Sequence, residues 1–267
     1  MKIPAASIMV SSRACRPDGQ QVTERCLPEE CAVAIIHDGT TYAVLMASPT
    51  DLEDLAIGFS LTEGAIANMA AVAEFEMVGQ ADGIELRLWL RAGEGGAAGD
   101  RRRAIVGGSG CGLCGVESLA AAIHQVAKVT AGLRFSHGEI AAAAASLSGR
   151  QRLGDATRAV HAAGFWTRSE GLVAIREDVG RHNALDKLVG AMARMGRDGS
   201  GGIVVLTSRV SVEMVQKTAR FGASVLVAIS APTALAVRTA DAAGIALAAV
   251  ARVDGFEIFC GAERIAQ

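Results

Sequence analysis

Apolar positions along this chain change rhythm near residue 100. Between Cys31 and Ser48 (CAVAIIHDGTTYAVLMAS) two apolar runs flank Asp38-Gly39, a dipeptide that favours a two-residue hairpin turn. The segment PTDLEDLAIGFSLTEG then places Leu52, Leu55, Ala56 and Phe59 at helical spacing, as a core face or a dimer face. Thr50 and Glu53 stand at capping-box spacing, and Gly64 is a natural stop. Glu74 to Val78 and Ile84 to Arg91 read as strands. In the second, Leu86, Leu88 and Leu90 alternate with Arg87, Trp89 and Arg91, the mark of a half-buried strand. Residues 92–100 (AGEGGAAGD) have the composition of a linker.

Beyond the linker, strands and helices alternate. Arg101 to Val106 reads as a strand running into a glycine-rich loop. Glu117 to Val129 and Glu139 to Leu147 read as helices, the second behind a Ser136/Glu139 box. Leu172 to Glu177, Ile203 to Thr207, Val225 to Ile229 and Ile245 to Ala251 read as strands, the last of these closing the sheet. Helices are expected over Asn183 to Met195, Val212 to Phe221 and Thr233 to Ala243. Continuous β-branched strands between amphipathic helices predict an α/β layer with a mixed or largely parallel sheet. The expected organisation is a loosely ordered arm over residues 1–27 and an α+β region over 28–105. A mobile loop over 106–116 and a C-terminal α/β region over 117–267 follow.

Composition narrows the function classes. A net charge of −2 over 267 residues gives no basic excess for nucleic acid, and 4% aromatics leave little for base stacking. No run of 18 apolar residues predicts a membrane span. The N-terminal MKIPAASIMVSSRACRPDG is broken by Pro and Ser and makes a poor signal peptide, so a cytoplasmic location is expected. Thiols stay reduced there. Cys15, Cys26, Cys31 and Cys260 are scattered and read as small buried or incidental residues.

The loop VGGSGCGLCG holds Cys111 and Cys114 among five glycines. A structural zinc site needs a second ligand pair, which the chain lacks. A dithiol redox site would hold its sulfurs in a firmer frame than Gly107, Gly108, Gly110, Gly112 and Gly115 provide. Incidental cysteines and thiol group transfer are the other readings. For transfer, glycine permits wide excursions, and the helix expected from Glu117 would favour thiolate, against the opposing charge of Glu117.

Several stretches together carry a resemblance: LPEE at 27–30, DLEDLAIGFSLTEG at 51–64, GCGLCG at 110–115, REDVGRHNALDKLVG at 176–190, SRVSVEMVQK at 208–217 and SAPTALAV at 230–237. In this order they resemble the formate dehydrogenase accessory sulfurtransferases, the FdhD/NarQ family, over about residues 27–260. The resemblance implies a sulfur carrier that takes sulfur from a cysteine desulfurase as a persulfide. It then sulfurates the molybdenum (or tungsten) bis-pyranopterin guanine dinucleotide cofactor before that cofactor enters formate dehydrogenase. By position it makes Cys111 the persulfide-bearing residue and Cys114 its partner. It also implies a homodimer, and a C-terminal sheet like that of cytidine deaminases without the deaminase zinc site. One departure is visible. Where the family often has Thr-Gly-Gly-x-His-x-Ala, this chain has Thr157-Arg158-Ala159-Val160-His161-Ala162-Ala163.

The remaining candidates are cofactor contacts. In REDVGRHNALDK, Asp178 and Asn183 are either turn caps or ligands at the end of a strand, where open α/β sheets bind. Arg181, His182 and Asn183 stand at a helix start, where backbone N–H groups suit an anion. Under the resemblance this is a cofactor pocket, with Asp178 the carboxylate for guanine and Arg181 and Arg209 the cations for the pyrophosphate. Ser208 and Ser211 would line the same edge, with Ser211 also a helix cap. His161 is a pocket residue or a structural one. Val250, Ala251, Arg252, Val253, Asp254 and Gly255 match by position a cofactor-associated stretch of the family, or form a plain turn at Asp254-Gly255.

Overall fold

A computed structural model of the chain describes residues 3–91, 105–107, 128–130 and 133–266. Cys111, Cys114 and the helix expected over 117–129, save its last two residues, lie outside the described residues. The first correction concerns the N-terminus. Within the expected loose arm, β1 (Ser7–Arg16) and β2 (Gly19–Pro28) form an antiparallel hairpin of ten paired positions. Its residues are mostly exposed, and its apolar Ile8, Met9 and Val10 stand consecutively, so no period-two apolar signal marks it in the sequence.

The next elements are β3 (Cys31–His37), β4 (Thr40–Ala47), α1 (Leu52–Glu63), β5 (Val72–Gly79), β6 (Ile84–Leu90) and β7 (Ile105–Gly107). The β3–β4 turn is the expected one: Asp38 and Gly39 both adopt positive φ, 48° and 77°. The five strands pair in the order β5-β6-β3-β4-β7, with β3/β6 and β4/β7 parallel. Helix α1 ends at Gly64, which takes the left-handed angles of a C-cap at φ 76°. Its expected capping box does not form. Asp51 occupies the N-cap position without a side-chain bond, and Glu53 instead pairs with Arg194 at 2.9 Å. Leu52, Leu55, Ala56, Ile57 and Phe59 are all buried, so the apolar stripe is core.

The second half comprises β8 (Phe135–Ser136), α2 (His137–Ala145), α3 (Arg152–Thr157), β9 (His161–Thr167), β10 (Gly171–Asp178), α4 (Arg181–Arg194), β11 (Ile203–Leu206), α5 (Val212–Phe221), β12 (Val225–Ala228), α6 (Ala234–Ala243), β13 (Ala246–Arg252), β14 (Gly255–Cys260) and β15 (Ile265–Ala266). Here the Ser136–Glu139 capping box is present in both directions. A six-stranded sheet runs β10-β9-β11-β12-β13-β14. Its centre, β11-β12-β13, is parallel, and its flanks are antiparallel. Strand β13 is therefore not the last, because β14 doubles back beside it. Val204, Leu206, Leu226 and Leu247 join one core with α4, α5 and α6, while Ile203, Val205, Val225 and Val227 join another with α2. Burial on both faces explains the unbroken apolar runs.

The two halves meet where α1 packs against α4. A Cβ at Gly58 would lie 1.7 Å from the Asp186 carbonyl oxygen, and one at Gly190 would lie 1.9 Å from that of Asp54. Glycine at both positions lets the helix backbones touch. No described helix is long and apolar enough to cross a membrane.

Candidate functional site

Strand register puts the expected contacts on one edge of the six-stranded sheet. Asp178, the end of β10, pairs with His161, the start of β9. Leu206 pairs with Ala163 on one side and Ala228 on the other, so the segments after β11 and β12 emerge beside His161. Thr207 extends this pairing, its Oγ1 lying 2.8 Å from the Ala162 N–H that donates to it. The Val250 N–H donates to the Ser230 carbonyl at 3.3 Å, which places the end of β13 on the same edge. These are the carboxyl ends of the parallel strands, where open α/β sheets bind ligands.

Positive groups gather at one end of this edge. Burial, and then the charges of Arg181, Arg209 and His182, push His161 below its ordinary value, against a smaller pull from Asp178. The neutral imidazole is thus favoured for His161 beside the Arg181 and Arg209 guanidinium groups. His182 in the first turn of α4 faces Glu213 in the first turn of α5, with Nε2 3.9 Å from Oε2. Burial opposes charge on Glu213, but His182, Ser211 and its own backbone N–H outweigh it and lower Glu213 to about 2. Arg181 in the first turn of α4 and the exposed Arg209 suit an anionic ligand.

The Asp178 side chain does something other than expected. Its Oδ1 accepts from the Gly180 N–H at 2.7 Å and from Asn183 Nδ2 at 3.0 Å. Its Oδ2 accepts from the Ser48 N–H at 3.0 Å and pairs with Lys187 Nζ at 2.6 Å. Both Asp178 and Lys187 are fully buried. This corrects the guanine-carboxylate expectation, because every acceptor position of Asp178 is occupied. Asn183 is also committed, donating to the Met46 carbonyl at 2.8 Å. The two residues clamp the end of β4 to the turn between β10 and α4.

That clamp bears on the cysteine loop. Leu45 of β4 pairs with Gly107, the last described residue before the loop. Three residues, Gly108, Ser109 and Gly110, stand between Gly107 and Cys111, so the chain can reach at most about 14 Å from one to the other. The root of the loop therefore lies beside the β4 end that Asp178 and Asn183 hold.

A comparison with known sequences and structures now bears on this arrangement. The FdhD/NarQ family model matches residues 28–266. The chain belongs to the FdhD/NarQ family. It is 49% identical over 266 residues to the "Sulfur carrier protein FdhD" of Agrobacterium fabrum, covering 99% of this chain and 98% of that one. It is 46% identical to the protein of the same name from Cupriavidus necator, over 89% of this chain and 82% of the relative. Its fold is similar to the crystal structure of a candidate formate dehydrogenase accessory protein from Desulfotalea psychrophila. The TM-score is 0.75 at 25% identity, with 98% of this chain and 100% of the other covered.

Within this FdhD/NarQ chain, the REDVGRHNALDK run divides between structure and edge. Arg176 pairs with Asp54 at 2.7 Å, and Glu177 accepts from the N–H groups of Leu153 and Gly154 at 2.9 and 2.7 Å. Asp186 pairs with Lys217 at 2.8 Å and accepts from Thr62 Oγ1 at 2.6 Å. With Asp178, Asn183 and Lys187 in the clamp, Arg181 and His182 are the pair left at the cationic cluster. Ser208 is buried, its Oγ donating to the Arg209 carbonyl at 3.1 Å. Ser211 stands at the N-cap of α5 but, against the expected capping role, makes no side-chain cap bond.

The Val250–Gly255 stretch lies further along the edge. Three strand spacings separate β9 from β13, about 14 Å. Val250 holds φ 54°, an unusual angle for a β-branched residue. Ala251 is buried, and Arg252 Nη1 donates to the Ala251 carbonyl at 2.8 Å and to the Ile229 carbonyl. Val253, Asp254 and Gly255 form the exposed turn into β14. Sequence reasoning missed Glu213. Its position near a helix start reads as ordinary dipole compensation, and only the facing of α4 and α5 sets it against His182.

Proposed function

We propose that this protein is a cytoplasmic sulfur carrier serving formate dehydrogenase. Cys111 takes sulfur from a cysteine desulfurase as a persulfide and passes it to the molybdenum or tungsten bis-pyranopterin guanine dinucleotide cofactor, its substrate. The observation that carries this reading is the convergence of His161, Arg181, His182 and Arg209 on one edge, near the root of the cysteine loop. A diphosphate suits such a cluster, because Arg donors match phosphate oxygens and neutral His161 adds no further repulsion. With Asp178 committed, the exposed carboxylate of Asp254 is the expected acceptor for the guanine N–H groups. The family likeness supports two further parts of the reading, a homodimer and a deaminase-like arrangement of the mixed C-terminal sheet.

Sulfur movement balances without an external oxidant. The Cys111 thiolate attacks the terminal sulfur of the desulfurase persulfide, and the desulfurase thiolate leaves. Release as sulfide consumes two electrons, which Cys114 supplies by closing a disulfide onto Cys111. Intact-protein mass spectrometry after incubation with a desulfurase and cysteine tests the first step. The expected result is a reductant-sensitive gain of about 32 Da, the mass of one sulfur atom, absent from Cys111→Ala. No gain while the desulfurase turns over would leave cofactor binding without sulfur carriage.

A further inference from the structure

Strand β10 ends the six-stranded sheet, and its inner side pairs with β9. Its outer side borders a groove of about 810 Å³, lined by Leu172, Val173, Ala174 and Ile175 and, across from them, by Leu153 and Ala156 of the α3 segment and Ala6 and Ser7 at the start of the N-terminal hairpin. An open edge of this kind is a template for another strand, and proteins usually guard it with Lys, Pro or a covering element. The run GLVAIRED contains neither Lys nor Pro. Its charged residues are engaged elsewhere: Arg176 with Asp54, Glu177 with the α3 amides and Asp178 with Lys187. The Ile175 carbonyl accepts from Arg176 Nη1 at 2.8 Å, so pairing is directed toward Leu172–Ala174. A register shift lies in this same stretch.

The rim of the groove gives the edge a charge preference. Arg150 and Arg152 line it, are exposed and make no ion pair among the described residues. Asp51, which also lines the groove, lies 3.5 Å from Arg176. Two unneutralised guanidinium groups beside an apolar lining fit acidic side chains that alternate with apolar ones, the natural pattern of an added strand.

We propose that the outer edge of β10 docks an extended segment of a partner protein, adding it as a strand whose acidic side chains pair with Arg150 and Arg152. The identification of that partner as a sulfur donor or acceptor rests on the sulfur-carrier reading. Position supports it: β10 runs to Asp178, beside both the cationic edge and the clamp at the root of the cysteine loop. A strand held there brings its protein to the place where transfer would occur.

The probe is a fluorescein-labelled hexapeptide of alternating Val and Glu, read by fluorescence anisotropy against the full chain. Wild type is expected to bind it saturably, and the double variant Arg150→Glu/Arg152→Glu about tenfold more weakly or worse, since like charges then face each other. The Val/Lys peptide should not bind. Of two peptides N-methylated on alternate residues, the one blocked on its pairing side should also fail, because it keeps the side chains but loses the backbone donors. Saturable binding that ignores charge reversal, or survives both methylation patterns, overturns the proposal, as does the absence of saturation. Wild-type self-association that the double variant lacks, seen by sedimentation, would assign the edge to a second copy instead. Sulfur loading on Cys111 is a separate readout. Its loss with peptide binding intact removes the carrier reading alone, and the reverse outcome removes the docking edge alone.

Discussion

Arg158 shows how one side chain records a backbone requirement. It caps α3 at φ 55°, its N–H donating to the Gly154 carbonyl at 2.7 Å. The resembling family often has glycine at this position, and the left-handed angle is sufficient reason for it. A phosphate contact is not needed to explain that glycine. Left-handed angles cost a non-glycine residue roughly 1–2 kcal/mol. Arg158→Gly should therefore raise stability by about 1 kcal/mol, part of the gain being offset by a freer unfolded chain. Urea denaturation measures it, and an unchanged or lower midpoint would show the angle to be unstrained. The same scale explains why Asp178 was misread. Its place at the end of a strand was legible, but its four partners come from residues 48 to 187 and share no local pattern.

Elements read well where burial leaves a periodic or unbroken apolar run, and less well where it leaves neither. Strands β11 and β12 appear in the sequence as short apolar runs because α4–α6 and α2 cover their two sides. Strand β9, HAAGFWT, lacks the β-branched density that marks a strand, and tertiary burial makes it one. Helix α1 illustrates the opposite case, since its apolar stripe was visible but its covering partner was not. The partner is α4, at backbone contact through Gly58 and Gly190. Gly190→Ala should lower stability by about 1–3 kcal/mol or more, since the added methyl meets a carbonyl that cannot move alone. Thermal unfolding checks this beside Gly201→Ala, a position with open space around it, which should change little. Equal effects at the two sites would mean the helices separate freely.

At the scale of the whole molecule, two buried charge networks tie the halves together. Lys187 reaches Asp178 and the Ser48 carbonyl, and Lys217 reaches Asp186, Glu63 and Thr62. Removing one partner of such a pair leaves a buried charge uncompensated, at a cost of about 3–5 kcal/mol. Lys187→Met should lose stability on that order in urea denaturation. Lys187→Met/Asp178→Leu should recover part of it, because the orphaned carboxylate is gone. A double variant no better than the single one would show that the pair's hydrogen bonds, rather than charge burial, set the cost.

The sequence by itself determined the alternation of strands and helices, the Asp38-Gly39 hairpin, the Ser136–Glu139 box and the family to which the chain belongs. Each depends on neighbours within a few residues, or on motifs kept in order along the chain. It also marked REDVGRHNALDK as important without dividing its labour. The tertiary structure alone decided that Arg181 and His182 stay at the carboxyl edge of the six-stranded sheet while Asp178, Asn183 and Lys187 turn inward. It alone set Glu213 against His182 and left the side of β10 open. These outcomes depend on which residues, distant in sequence, meet at less than 4 Å. Burial then fixes which charges must be paired within the protein.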